Sequence, residues 1–172
     1  MSDIFDFTDM IGLFAKEMKS EEEVKKCNRY RQMCVDKVAS LRDQDDGGPN
    51  GTCHVSSKKS ADARNTYKKC KVDNSNSRKE VYVHQLAVIA DNRGEQLVAC
   101  IGDKNTTQTH ECAHRCHNPG CFNPDHISIM TREENKEMNF CRAFEINGVK
   151  YTTCIHVPQC ILVSTPFQLY NN

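Results

Sequence analysis

Residues 114–141 read His114-Arg-Cys116-His-Asn-Pro-Gly-Cys121-Phe-Asn-Pro-Asp-His126-Ile-Ser-Ile-Met-Thr131-Arg-Glu-Glu-Asn135-Lys-Glu-Met-Asn-Phe-Cys141, and the same residue types return at Cys154-Ile-His156-Val-Pro-Gln-Cys160. Cys116 and Cys121 flank Asn-Pro-Gly, a turn tight enough to fold two thiolates onto one ion. His126 follows a second turn, Phe-Asn-Pro-Asp. These supply three ligands of a tetrahedral zinc site. The fourth must come from elsewhere: Cys53 is the favoured candidate, with Cys70 and Cys112 as competitors. Cys141, Cys154, His156 and Cys160 form a second set of Cys₃His type within twenty residues. Each set is complete in protein ligands, so both are expected to be structural rather than catalytic.

Zinc does not account for His114 or Asn135. Ile127 to Met130 reads as a short strand. Thr131, with Glu134 three positions on, is a capping box that opens a helix running to about Asn139. Strand, zinc loop, strand and helix in that order make a ββα-metal arrangement, which directs a histidine on the first strand and an asparagine on the helix to one point. Phosphodiester hydrolysis needs a base for water and a Lewis acid for the phosphoryl and leaving oxygens. An imidazole suits the first task at neutral pH. An amide oxygen is a hard, neutral ligand suited to Mg²⁺, which keeps several waters and draws further ligands from a substrate phosphate.

With those residues set out, the stretch 114–160 resembles the His-Cys box homing endonucleases of the His-Me finger superfamily. The pattern is His114-x-Cys116-x₄-Cys121-x₄-His126-x₈-Asn135-x₅-Cys141, followed by Cys154-x-His156-x₃-Cys160. Cys121-Phe-Asn-Pro-Asp-His126 and Arg132-Glu-Glu-Asn135 also look like the corresponding stretch of phage-type HNH endonucleases. The resemblance implies an α+β fold with a His-Me finger core and two structural zinc sites; the antiparallel β-ribbon and the N-terminal helical extension, which has no clear counterpart in the family, are expected from the residues themselves. It implies His114 as general base and Asn135 as ligand of a single catalytic Mg²⁺. It implies Cys53, Cys116, Cys121 and His126 at one zinc, and Cys141, Cys154, His156 and Cys160 at the other. Arg64, in Ala-Arg-Asn-Thr-Tyr-Lys-Lys, looks like the family's arginine on the cleaved phosphate. The sequence departs from the family in a shorter segment between Cys53 and Arg64 and a longer insert between Cys141 and Cys154. After Cys160 only twelve residues remain, too few for the family's long exchanged tail.

Hydrophobic residues make up 38% of 172 and mean hydropathy is −0.67, a lean supply for a core of this size, so bound metal is expected to contribute to folding. The eleven cysteines are odd in number, and no secretory signal precedes them, which favours reduced thiols in an intracellular setting, the nucleus included. No stretch is apolar enough to span a membrane. Net charge is zero, yet residues 51–80 carry eight bases against three acids. Lys58, Lys59, Lys68, Lys69 and Lys71 are therefore candidate phosphate contacts on the predicted ribbon over 57–79.

Residues 4–18 place Phe7, Met10, Ile11, Phe14 and Met18 at helical spacing. Ser20 with Glu23 caps a second helix whose stripe is Val24, Cys27, Tyr30, Cys34, Val38 and Leu41, so Cys27 and Cys34 are expected in the core. Residues 1–46 are read as a helical extension bracing the nuclease domain over 47–172. Gln85 to Ala90 fits either a strand or a buried helix, Gln96 to Ile101 is expected as a strand around a core Cys100, and Cys70 among its lysines is expected to be exposed. The predicted activity is Mg²⁺-dependent cleavage of DNA, double-stranded and selective for site or structure. A homodimer through the acidic N-terminal helices is an option. The main rival is a zinc-stabilised nucleic-acid-binding module without cleavage.

Overall fold

The computed structural model describes residues 6–42, 53–55, 67–72, 80–101, 108–162 and 165–166. Helix α1 spans Phe7–Ala15, with Asp6 as its N-cap accepting from the Thr8 amide at 2.9 Å. Helix α2 spans Glu21–Arg42. Its first turn is closed by the predicted box: the Glu23 amide donates to Ser20 Oγ at 3.2 Å and the Ser20 amide donates to the Glu23 carboxylate at 2.8 Å. Two free N–H groups at the helix start are satisfied this way, and the Lys16 ammonium and the Ser20 amide hold the Glu23 carboxyl down at about 2.

Met10 and Ile11 of α1 and Cys27, Tyr30, Cys34 and Leu41 of α2 are buried as the spacing predicts. Phe7, Phe14 and Val38 of the predicted faces are partly buried against them, and two more residues are exposed. Met18 is 84% exposed because α1 ends at Ala15, and Val24 is 41% exposed at the first turn of α2, before that helix reaches its neighbours.

Strand β1 (Lys69–Cys70) pairs antiparallel with β2 (Val81–Tyr82), and Tyr82 leads straight into helix α3 (Val83–Ala90). Strand β1 of this two-residue ladder lies in the described part of the predicted ribbon, residues 67–72; residues 57–66 and 73–79 lie outside the described residues. Gln85 to Ala90 is the buried helix rather than the strand, with Leu86, Val88 and Ile89 inaccessible. The turn after it places Asn92 at φ 61, and Arg93 clamps the turn to the zinc loop, donating to the carbonyls of Pro124 at 2.7 Å and Ile127 at 3.2 Å.

Gln96 to Ile101 is not a strand. Gly94–Leu97 is a 3₁₀ turn that continues as helix α4 (Val98–Ile101). A short apolar run carries no period that separates strand from buried helix, and here the packing decides. The Phe14 ring lies so close over Gly94 that a Cβ there would sit 3.1 Å from it. A chain bent into a 3₁₀ turn can offer a bare backbone to that ring. Cys100 is in the core, on a helix. Cys70 is also in the core rather than exposed, because on β1 it alternates inward while Lys69 points out.

Residues of α1, α2, β1, β2, α3 and α4, together with Phe122 and Ile127, form one hydrophobic cluster, so the N-terminal helices pack directly on the elements that carry the zinc loop. Strands β3 (His110–His114) and β4 (Ile127–Thr131) form an antiparallel pair in the register His114 to Ile127 and His110 to Thr131. Helix α5 (Arg132–Met138) follows β4 without a break, and Met138 packs on Ala113 and Met130. Its start is the predicted capping box, with the Glu134 amide on Thr131 Oγ1 at 3.2 Å and the Thr131 amide on the Glu134 carboxylate at 2.8 Å. The long insert after Cys141 is a hairpin, β5 (Ala143–Ile146) and β6 (Val149–Thr152), closed by Asn147 at φ 52 and Gly148 at φ 80. Two successive left-handed residues match the twist of a two-residue hairpin turn, the setting in which Asn-Gly is favoured. Strand β7 (Thr165–Pro166) runs parallel to β5. The result is a mixed α+β fold of short antiparallel ladders, five helices among the described residues and two Cys/His clusters.

Candidate metal centres and active-site cleft

The loop between β3 and β4 folds on itself through short-range hydrogen bonds. The His117 amide donates to the His114 carbonyl at 2.8 Å with His117 at φ 56. Asn118 Oδ1 accepts from the Gly120 amide at 3.0 Å, and Asn123 Oδ1 accepts from the Asp125 amide at 3.1 Å. Pro124 opens a 3₁₀ turn that ends on His126. These turns bring Cys116, Cys121 and His126 together. The segment holding Cys53 joins them by pairing alongside: Val55 bridges to Cys121, and the Phe122 amide donates to the His54 carbonyl at 2.8 Å.

All four residues are buried, and their ligand atoms lie within 4.8 Å of one another. His126 Nδ1 is 3.6 Å from the sulfurs of both Cys53 and Cys121. A tetrahedral ion with Zn–S of about 2.3 Å and Zn–N of about 2.0–2.1 Å puts its nitrogen and sulfur ligands about 3.5–3.6 Å apart. The cluster therefore has the dimensions of a zinc site. The Cys116 thiol together with the Asn123 amide, at 3.4 Å, brings the Cys121 thiol down to about 5, while Cys116 is pushed up. Cys70 and Cys112 lie elsewhere: Cys70 is in the main core, and the Cys112 thiol donates to Cys100 Sγ at 3.9 Å.

The second cluster is assembled from both sides of the hairpin. His156 Nδ1 lies 3.3 Å from Cys141 Sγ and 3.4 Å from Cys154 Sγ, and the Cys160 amide donates to Cys154 Sγ at 3.1 Å. Burial works against the Cys154 thiolate, yet the Cys160 amide and His156 bring it down to about 6. Both clusters are zinc-binding in composition and spacing, and all eleven cysteines are free of disulfides. Arg115 joins the two, donating through Nε to the Gln159 carbonyl at 2.8 Å and through a terminal nitrogen to the Asp125 carbonyl at 3.1 Å.

Beside the first cluster is an open cleft of about 220 Å³ lined by Tyr67, His114, His117, Pro119, Asn135, Met138 and Asn139. The strand and the helix thus bring His114 and Asn135 to one cleft. His114 Nε2 is 3.0 Å from the Cys121 carbonyl. A carbonyl only accepts, so Nε2 carries the proton and Nδ1 is left as the acceptor of the neutral ring. Burial lowers the His114 pKa below its ordinary value, against the opposing pull of the Cys121 carbonyl. Its ring is packed against His84, edge to face at 4.9 Å between centroids, and against Tyr67 at 5.6 Å. His84 is itself stacked on Tyr82 at 5.3 Å and held neutral, at about 3, by burial and by His114. Asn135 Nδ2 donates to Glu111 at 2.7 Å, which turns its amide oxygen away from that carboxylate.

The candidate phosphate contacts divide. Arg64, Lys58 and Lys59 lie outside the described residues. Lys68, Lys69 and Lys71 follow directly on Tyr67 of the cleft; Lys69 is exposed with its ammonium 4.5 Å over the Tyr82 ring, and Lys71 is exposed. The sequence reading passed over Glu111, Tyr67, His84 and Asn139. Asn139 stands one helical turn after Asn135, a spacing that marks a shared face. Glu111, Tyr67 and His84 come to the site through long-range packing, for which a local motif gives no sign.

A Cys₃His-stapled ββα unit with a histidine and an asparagine at one cleft defines a zinc-stabilised His-Me finger protein. The family described as the zinc-binding loop region of homing endonuclease matches residues 52–169, well over half of the chain, and the chain belongs to that family. No match was found among curated proteins or among solved structures. Family and clusters together make this a homing-endonuclease-like zinc-binding domain of nuclease and DNA-binding type. No helix among the described residues is long and apolar enough to cross a membrane.

Proposed function

We propose that this protein is a Mg²⁺-dependent endonuclease that hydrolyses phosphodiester bonds of double-stranded DNA, selectively for a site or a structure. The observation that carries the reading is the hydrogen bond of His114 Nε2 to the Cys121 carbonyl beside Asn135 in the same cleft. That bond fixes the tautomer: Nδ1 can take a proton from a water held in the cleft, and the imidazolium so formed keeps its Nε2–H on the carbonyl. The rings of His84 and Tyr67 pack against the imidazole and hold its plane. The Asn135 amide oxygen is a hard, neutral donor, and one such protein ligand with substrate and water oxygens is a donor set that fits Mg²⁺. When bound there, Mg²⁺ would supply Lewis-acid stabilisation of charge on the phosphoryl and leaving oxygens. Lys68, Lys69 and Lys71, with Lys58, Lys59 and Arg64 of the same basic stretch, would contact phosphates and position the duplex.

Supercoiled plasmid incubated with the zinc-loaded protein and Mg²⁺ tests this. Nicking or linearisation is expected, and it should be lost with a chelator and in both His114→Ala and Asn135→Ala. Binding of DNA without cleavage in any divalent ion would replace this reading with that of a nucleic-acid-binding module.

A further inference from the structure

We propose that Glu111 is the positioning residue for Asn135, and that its carboxylate commits the asparagine's amide oxygen to the cleft. The inference rests on Asn135 being the metal-binding residue of the proposed function and names what holds it there.

A primary amide can turn over about its last bond at little cost, and the two orientations present opposite polarity. With oxygen toward the cleft it offers a ligand; with nitrogen toward the cleft it offers a donor that repels a cation. A site depending on one asparagine needs something to settle the choice. Glu111 Oε2 accepts from Asn135 Nδ2 at 2.7 Å in a partly buried setting, and Oε1 accepts from Arg132 Nε at 3.1 Å. An ionised carboxylate accepts and does not donate. The flipped amide would set oxygen against oxygen, so only one orientation is stable. Arg132 is 69% exposed, and its ion pair alone would contribute little. Its part is to hold the carboxylate across from Asn135, since Arg132 begins the helix that carries Asn135.

The placement follows from β3. Side chains alternate along a strand, so Glu111 and Ala113 share the face covered by α5, where Ala113 meets Met138. His114 falls on the other face, toward Cys121 and His84. One strand thus presents the base from one side and the holder of the metal ligand from the other, which fixes their separation without a loop between them.

The test uses the full zinc-loaded chain and MgCl₂ as the probe, read by the NMR shifts of the Asn135 side-chain NH₂ pair. Wild-type protein should show one N–H shifted downfield by the carboxylate and a saturable response to Mg²⁺. Glu111→Ala should abolish the downfield shift and weaken Mg²⁺ by about 10- to 100-fold, with zinc content unchanged. Glu111→Gln keeps one acceptor but adds an NH₂ donor that also tolerates the flipped amide, so it should restore only part of the affinity. Wild-type affinity in Glu111→Ala would overturn the proposal, leaving an exposed ion pair. Full wild-type affinity in Glu111→Gln would also overturn it, since an acceptor-only group would then not be what settles the amide. An Asn135 side chain indifferent to Mg²⁺ in the wild-type protein overturns it as well. If instead these shifts follow the expected order and plasmid stays intact, the positioning role stands and the nuclease reading fails.

Discussion

The first and second Cys/His clusters have the same donors, three thiolates and one imidazole, but they are built into the molecule differently. The first draws Cys53 from a segment far from the other three ligands, buries all four, and passes through Cys121 to His114. The second gathers ligands from within twenty residues around a hairpin, with His156 and Cys160 only partly buried. His156 Nε2 is the one buried side-chain nitrogen or oxygen without a hydrogen-bond partner among the described residues. Its neighbours point outward, Ile155 at 85% and Val157 at 96% exposed. A ligand set therefore does not decide what a zinc does for the fold; the attachments behind the ligands do. The first cluster ties the core to the cleft, and the second fastens a local extension.

That contrast predicts graded losses. Cys53→Ala breaks the buried cluster, and binding of structural zinc, about 10–16 kcal/mol in apparent terms, is comparable with a whole domain's stability of about 5–15 kcal/mol. The variant should hold one zinc by metal analysis and show no cooperative unfolding transition by circular dichroism. Cys154→Ala should also hold one zinc but still unfold cooperatively at a lower temperature. Its lost protection in hydrogen exchange should be confined to the amides of β5 and β6. If the two variants unfold alike, the contrast is broken. His114→Ala should leave two zinc and a cooperative transition, lowered by the lost packing and the lost bond to the Cys121 carbonyl, while cleavage falls about 10²- to 10⁴-fold, separating chemistry from scaffold. Thr131→Ala removes the N-cap of α5 and should cost about 1 kcal/mol, a Tm shift of about 2–4 °C. Because α5 carries Asn135, its effect on Mg²⁺ dependence should exceed that of the same change at Ser20, which caps α2.

What could be read from the residues alone was what is local. The turns around Cys116, Cys121 and His126, the box at Thr131 and Glu134, and the box at Ser20 and Glu23 are each completed within a few residues, and all took the expected form. Gln96 to Ile101 departs from the expected strand because a short apolar run carries no period that separates strand from buried helix, and the Gly94 turn that leads into it packs under Phe14, a residue distant in sequence. Met18 fell on a helical stripe whose helix stops three residues earlier. The hairpin carries a readable signal, Asn147-Gly148 between the alternating Phe144-Glu-Ile146 and Val149-Lys-Tyr151, although the spacing of Cys141 and Cys154 alone shows only an insert. Glu111 had none: its value comes from a register in which β3 meets α5, and registers between distant segments leave no mark at the residue itself.

The most direct test removes zinc stepwise with a chelator while plasmid nicking in Mg²⁺ is followed in the same sample. The more exposed second cluster should release the first equivalent with most of the activity retained, and activity should disappear with the second equivalent. Loss of activity with the first equivalent released would contradict the division between a cluster that holds the cleft and one that fastens the extension.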